Sequence, residues 1–199
     1  AFKNQKKDFA IANLKKFSKE PLTRYQKARV KMLLADILVF DERFNEALIY
    51  YSQIQNEVKG DLIAQEARFK VARTSYFKGD FNWTQVQLDV LKKSATQLIA
   101  NDAMHLSLMI KDNSLEDSTQ TALKQYARAD LLTFQNKRAE AILILENLLL
   151  NHKGEKIEDE ALYKLGELYE ANEEYTKAVK KYRMLIEFIS SSEDPDLLR

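Results

Sequence analysis

The sequence predicts an all-α fold, a solenoid of antiparallel helical hairpins, on three observations. An alanine returns with a large apolar residue four positions later at Ala10–Leu14, Ala47–Tyr51, Ala141–Leu145 and Ala178–Tyr182, and Thr84–Leu88 fits the same slot. The steps from 10 to 47, 47 to 84 and 141 to 178 are each 37 residues, a period that marks stacked helix pairs. Four Gly and two Pro in 199 residues leave too few turn formers for a chain of short strands.

The elements follow in order from that phase. Ala10, Leu14 and Phe17 align with the second helix of a hairpin whose first helix is missing. Residues 1–20 therefore read as a solitary capping helix or as a cut from a longer array. Pro21 suits the first turn of a helix starting near 21 or 22. That helix opens a first hairpin over 22–59, with Leu34, Ala35, Leu38, Phe44, Ala47 and Tyr51 in register. A second hairpin over 61–94 carries Val71, Ala72, Phe81, Thr84 and Leu88.

The next step, from Thr84 to Ala141, is 57 residues, and the surplus over one period has the length of a helix. Leu98, Ala103, Leu106, Met109 and Ile110 place that extra helix at 97–112, ended by Asp112-Asn113-Ser114 before a helix starting near 117. An unpaired helix reverses the up-down alternation, so a bend is expected there. A third hairpin spans 117–153, with Ala129, Leu132, Ala141 and Leu145 in place but Arg128 in an apolar slot. The fourth, 157–190, leads to an acidic tail at 191–199. The whole reads as one array. Gly60, Gly79 and Gly154 fall at helix exits, where a left-handed backbone is convenient.

The fourth hairpin is the clearest. Leu162, Leu165, Leu168 and Tyr169 line one side of its first helix, and Tyr175, Ala178, Val179, Tyr182, Leu185 and Ile186 one side of its second. Gly166 costs about 1 kcal/mol of helix propensity relative to Ala, so its mid-helix place predicts a close helix approach. Leu162-x-x-Leu165-Gly166-x-x-Tyr169, then Tyr175, then Ala178-x-x-x-Tyr182, resembles the tetratricopeptide repeat, with Leu162 in place of the motif's Trp and no closing Pro. The 37-residue period exceeds the family's usual spacing by about one helical turn. Segments 68–110 and 127–150 also resemble long-repeat bacterial members of the cell envelope. The resemblance implies a right-handed superhelix whose first helices line a concave groove for a peptide or partner helix. It implies a periplasmic rather than cytoplasmic setting.

Charge is nearly balanced, at +1 overall, but unevenly spread. Residues 1–31 carry ten Lys or Arg against two acids, and residues 155–199 carry twelve acids against seven cations. The basic start (Lys3, Lys6, Lys7, Lys15, Lys16, Lys19) lacks interleaved aromatics and reads first as a solvated helix face. Binding of nucleic acid or an acidic surface there is an alternative, though nucleic acid is disfavoured. The apolar stretch 142–150 is broken by Glu146 and Asn147 and is far short of the roughly 20 residues of a membrane span.

Catalytic chemistry finds no foothold. With no cysteine there is no disulfide, thiolate nucleophile or Cys-ligated metal. His105 and His152 stand apart, no metal or cofactor motif occurs, and neither a cofactor nor a metal is expected. Glu158-Asp159-Glu160 and Glu173-Glu174 read as solvated helix starts and loops. The expectation is a non-enzymatic protein-binding scaffold, with a structural spacer in an envelope assembly as the alternative.

Within the groove that the resemblance implies, the candidate contacts are Met32, Phe69, Tyr126 and Tyr163, then Asp36, Arg73, Asp130 and Glu167, then Phe40, Tyr76, Phe77 and Phe134. Offsets of four and of seven to eight keep each set on one helix face. Rings supply rigid contact area and the mostly acidic row suits a basic peptide or a helix with a cationic face. The competing reading is that these aromatics pack between hairpins as core.

Overall fold

The structure is a computed structural model and describes residues 5–94, 96–114 and 120–191. Among them are ten α-helices and no strand: α1 (Gln5–Phe17), α2 (Arg24–Phe40), α3 (Phe44–Glu57), α4 (Leu62–Phe77), α5 (Phe81–Ser94), α6 (Gln97–Asp112), α7 (Thr121–Phe134), α8 (Arg138–Asn151), α9 (Ile157–Ala171) and α10 (Tyr175–Ser191). The fold is all-α and of the solenoid type, with helices packing on their chain neighbours within each unit. It divides into two compact units, residues 1–110 and 111–199, with the boundary inside α6.

In the first unit α1 to α5 pack in succession, and α2 also touches α4. In the second, α7 to α10 pack in succession, and α7 also touches α9. The next-but-one contact is what hairpin stacking produces: first helices lie side by side and second helices cover them. The extra helix α6 is tied to α5 by hydrogen bonds, with Gln85 and Lys92 donating to the Ser107 carbonyl and hydroxyl at 2.9 and 3.0 Å.

The repeating small residues occupy the helix crossings. Ala47, Ala141 and Thr84 are fully buried and Ala178 nearly so. Thr84 fits an alanine slot because its hydroxyl donates back to the Asp80 carbonyl at 2.8 Å and to the Ala72 carbonyl at 3.3 Å. Leu34, Ala35, Leu38 and Ile54 form the core of the first hairpin, and Leu162 and Leu165 that of the last, all at 0% exposure.

Every first helix ends in the same way. Glu42, Gly79, Asn136 and Glu173 adopt φ of 59°, 78°, 59° and 61°. After each, the following N–H reaches back five residues: Arg43 to Leu38, Asp80 to Ser75, Lys137 to Leu132 and Glu174 to Tyr169, at 2.8–3.0 Å. This is the Schellman arrangement, which satisfies carbonyls that a helix end otherwise leaves open. The four positions keep the 37-residue step within each pair. Only one of them is glycine, so the sequence displays the turn at one site in four.

Two expectations are corrected. The first hairpin starts at Arg24, not 21 or 22, because Thr23 is the N-cap: its hydroxyl accepts the Gln26 N–H and Gln26 returns a bond to the Thr23 N–H. Pro21 lies ahead of that cap. On α10, Tyr175, Val179 and Ile186 do not face a core but stand 62, 48 and 63% exposed. The predicted start near 117 and the tail beyond 191 lie outside the described residues, as does Lys3; α7 begins at Thr121. No helix among the described residues is long and apolar enough to cross a membrane.

Candidate functional site: the first-helix faces

The first helices are α2 and α4 in one unit and α7 and α9 in the other. The residues predicted to line them divide by what covers them. Met32 and Tyr126 are 8% and 6% exposed, whereas Tyr163, in the same slot of α9, is 50% exposed. The slot faces the next first helix. Met32 is on α2, which has α4 beside it, and Tyr126 is on α7, which has α9 beside it, whereas no further first helix lies beside α9 among the described residues.

Phe69 is half-buried, Tyr76 and Phe77 are core, and Phe40 and Phe134 are half-buried. Tyr76 packs its ring against Phe77 and Phe81, with centroids 5.7 and 5.9 Å apart. Arg73 is exposed with its guanidinium over the Phe77 ring at 5.4 Å. Met32, Tyr76, Phe77 and Tyr126 thus pack chiefly as core, leaving Tyr163 as the open aromatic of the set.

The charged row is engaged as well. Asp36 accepts the Tyr51 hydroxyl at 2.6 Å and Lys70 Nζ at 2.8 and 3.1 Å. Burial and the Asp36 charge push the Tyr51 pKa far up. Asp130 pairs with Lys164 at 3.3 Å. Both pairs span 34 residues and join neighbouring first helices, so each is one step of a ladder. Lys70 and Lys164 were missed; each directly precedes the leading apolar residue of its hairpin, Val71 or Leu165. A parallel bridge on the second helices sets Glu146 of α8 between Tyr169 Oη at 2.9 Å and Lys181 Nζ at 2.7 Å. Burial and the bond to Glu146 push the Tyr169 pKa up to about 12.

The acid run at the start of α9 corrects a further expectation. Glu158 is buried, its carboxylate accepting the Gly154 N–H at 2.6 Å and so closing the turn before α9. Asp159 accepts the Glu160 N–H at 2.6 Å, and burial raises its pKa. Glu160 is pushed up to about 7, first by burial, then by the charges of Asp159 and Asp130. The run is not a solvated face because the first turn of α9 packs against α7. Lys164 is taken by Asp130 and by Glu167, at 3.3 Å each.

On the α7/α9 face of the second unit Lys164 lies between Asp130 and Glu167, and burial together with the charges of Asp130, Glu160, Glu167 and Asp159 pushes the Tyr126 pKa well up. On α9, Glu160, Tyr163, Lys164 and Glu167 share one side at helical spacing. The corresponding face of the first unit has Asp36 closed by Lys70 and Tyr51. At the start of the chain, Lys7 pairs with Asp41 and Lys15 with Glu46, so part of the basic charge of α1 holds that helix to α2 and α3.

A feature absent from the sequence reading lies between α3, α4 and α5. A cavity of about 590 Å³ there is bordered by Leu48, Gln55, Arg68, Trp83 and Val90. Its walls are mainly second-helix side chains, and the half-exposed Trp83 stands at its edge. Among the described residues no group of three or more His, Cys, Asp or Glu side chains is placed to hold a metal ion.

No family profile, curated protein or solved structure matches this chain.

Proposed function

We propose that the chain is a tetratricopeptide-type binding scaffold, without catalysis, whose α7/α9 face receives a basic segment of a partner protein. One observation carries the reading: Asp130 of α7 and Glu167 of α9 both close on Lys164, with Glu160 on the same side of α9, beside an exposed tyrosine. An excess of acid at a half-buried face speeds the encounter with a cationic partner and disfavours an acidic one. Tyr163 adds an apolar contact that costs little side-chain entropy. The resemblance to envelope members of the repeat family supports an extracytoplasmic setting for this role.

The test is fluorescence anisotropy with a labelled amphipathic peptide of about 16 residues carrying Lys and Arg on its polar side, set against its Glu and Asp counterpart. The cationic peptide binds, and Tyr163→Ala combined with Glu167→Gln weakens it about tenfold, a loss of about 1.4 kcal/mol. Equal binding of both peptides, or no effect of the double change, contradicts the proposal.

A further inference from the structure

The cavity of about 590 Å³ in the first unit lies where α3 and α5 both pack on α4. The second unit shows how the same place is closed. In the register that sets Ala47 on Ala141, Ala72 on Gly166 and Thr84 on Ala178, Ser52 and Gln87 correspond to Glu146 and Lys181. Glu146 and Lys181 bridge the two second helices of their unit at 2.7 Å, whereas Ser52 and Gln87 line the cavity. Arg68 takes the slot of the fully buried Leu162, and Ala64 that of Glu158.

The last exchange leaves a backbone donor unmatched. Glu158 sets its carboxylate on the Gly154 N–H at 2.6 Å. The first unit repeats that turn at Gly60, with φ of 79° against 83° at Gly154. Ala64 has no carboxylate to offer, and the Gly60 N–H has no acceptor among the described residues. A Cβ built on Gly60 meets nothing within 4 Å, so the space around it is open.

The cavity is also one-sided in charge. Lys59 and Arg68 line it, and no acid does so among the described residues. Neither cation makes an ion pair among those residues. The acids on the surrounding helices are engaged elsewhere: Glu46 with Lys15 and Arg43, Glu57 with Lys31, Glu66 with Lys70 and Asp89 with Lys92. Leu48, Val90 and the half-exposed Trp83 give the same cavity an apolar wall.

We propose that this trough binds an acidic segment of a partner protein, with carboxylates toward Arg68, Lys59 and the Gly60 N–H and an apolar side chain against Trp83. The pairing at Gly154 indicates the chemistry, because a carboxylate is what the fold itself uses at this turn. A guanidinium takes a carboxylate through two parallel N–H donors, and a backbone N–H bonds a charged acceptor more strongly than a neutral one. Gln55, Asn56 and Gln87 add side-chain amides that have no partner among the described residues. Amides match the main-chain N–H and C=O groups of an extended peptide, which a small anion lacks. The trough is independent of the α7/α9 face: other helices line it and its partner carries the opposite charge.

Trp83 is the only tryptophan of the chain, so its fluorescence reports this trough directly. The whole chain is titrated with three synthetic peptides of about nine residues, free of Trp and Tyr. One has a central Asp-Glu pair flanked by Leu, one has Asn-Gln in place of the acids, and one has Ser in place of Leu. The first moves the emission to shorter wavelength and saturates, and the other two bind at least about tenfold more weakly. Arg68→Gln weakens the first peptide about tenfold with the circular dichroism unchanged, and Lys59→Gln, on an exposed turn, about threefold. Ala64→Glu reproduces Glu158, closes the turn from within and weakens the peptide at least about tenfold. Equal curves for the acidic and amide peptides, no emission change with any peptide, or an equal change with N-acetylglutamate amide alone overturns the dock. So does undiminished binding by folded Ala64→Glu or by both Arg68→Gln and Lys59→Gln.

Discussion

Gly166 lies directly beneath the ring of Tyr182: a Cβ built on it would come within 2.2 Å of Cε1 and 2.5 Å of Cζ. The ring of the second helix therefore occupies the space that a side chain on the first would need. Elsewhere the equivalent positions are filled differently, by the buried Ala129 and Leu145 one hairpin earlier and the buried Ala72 and Leu88 two hairpins earlier. In the first hairpin the same two positions hold Ala35 and Tyr51, so the volume at the crossing is shared differently in each hairpin.

Gly166→Ala should consequently destabilise the chain by about 1–3 kcal/mol, although alanine is favoured by about 1 kcal/mol in an open helix. Urea unfolding checks the value. Adding Tyr182→Leu to Gly166→Ala should recover most of the loss, because it recreates the alanine–leucine pair of the neighbouring hairpins. Independent, additive effects of the two changes would refute this account of the crossing.

The left-handed turns make a second prediction, of opposite sign. Glu42 and Glu173 hold φ of 59° and 61° at the ends of α2 and α9, a conformation that costs an L-residue about 1 kcal/mol or more. Glu42→Gly and Glu173→Gly should each stabilise by about 1 kcal/mol, and Gly79→Ala at the equivalent turn should cost a similar amount. Thermal melts of the three single variants test the series.

These two cases show what was legible in the sequence. The hairpin phase, the extra helix at 97–112 and the reason for Gly166 all follow from small residues recurring at a fixed period, because helix crossings demand small volume wherever they occur. The Schellman turns were visible only at Gly79, since glutamate and asparagine occupy three of the four sites without a glycine to mark them. The candidate site was harder. Tyr126 and Tyr163 fill the same slot, and among the described residues another first helix lies alongside the helix of Tyr126 but not that of Tyr163, which no local pattern encodes. The ladder joining Asp36 to Lys70 and Asp130 to Lys164 depends on the register between neighbouring first helices. That register is fixed by packing and not by spacing within either helix.

The ladder itself predicts an asymmetry. Asp36→Ala removes the partner of both Lys70 and the buried Tyr51 hydroxyl, and should cost about 1–3 kcal/mol. Lys70→Ala leaves Asp36 bonded to Tyr51, and because Lys70 and Asp36 are 27% and 29% exposed it should cost less than about 1 kcal/mol. Equilibrium unfolding of the two variants, in low and in moderate salt, measures the difference. A costlier Lys70→Ala would show that the ion pair, and not the tyrosine bond, dominates at Asp36.

Glu160 gives the pH dependence. Its pKa rises from 4.5 in the unfolded chain to about 7 on folding, so the folded state binds its proton more tightly. Stability is therefore greatest below about 4.5 as far as this group is concerned, and falls as pH climbs toward 7, by about 1–3 kcal/mol. Asp159, also raised, acts in the same direction. Glu46 and Glu174 are lowered by their bonds to Arg43 and Lys177, so their contribution changes at more acid pH and leaves this window alone. Glu160→Gln should flatten the slope of unfolding free energy between pH 4.5 and 7 and raise stability at pH 7; an unchanged slope would contradict the buried, acid-crowded placement of Glu160.

The central claim, that a basic segment docks across α7 and α9, is tested most directly by paramagnetic relaxation enhancement with a spin-labelled cationic peptide on the isotope-labelled chain. The account predicts broadening centred on the amides around Tyr126, Glu160, Tyr163 and Glu167, relieved in moderate salt. Broadening centred instead on α8 and α10, or on the cavity beside Trp83, would contradict it.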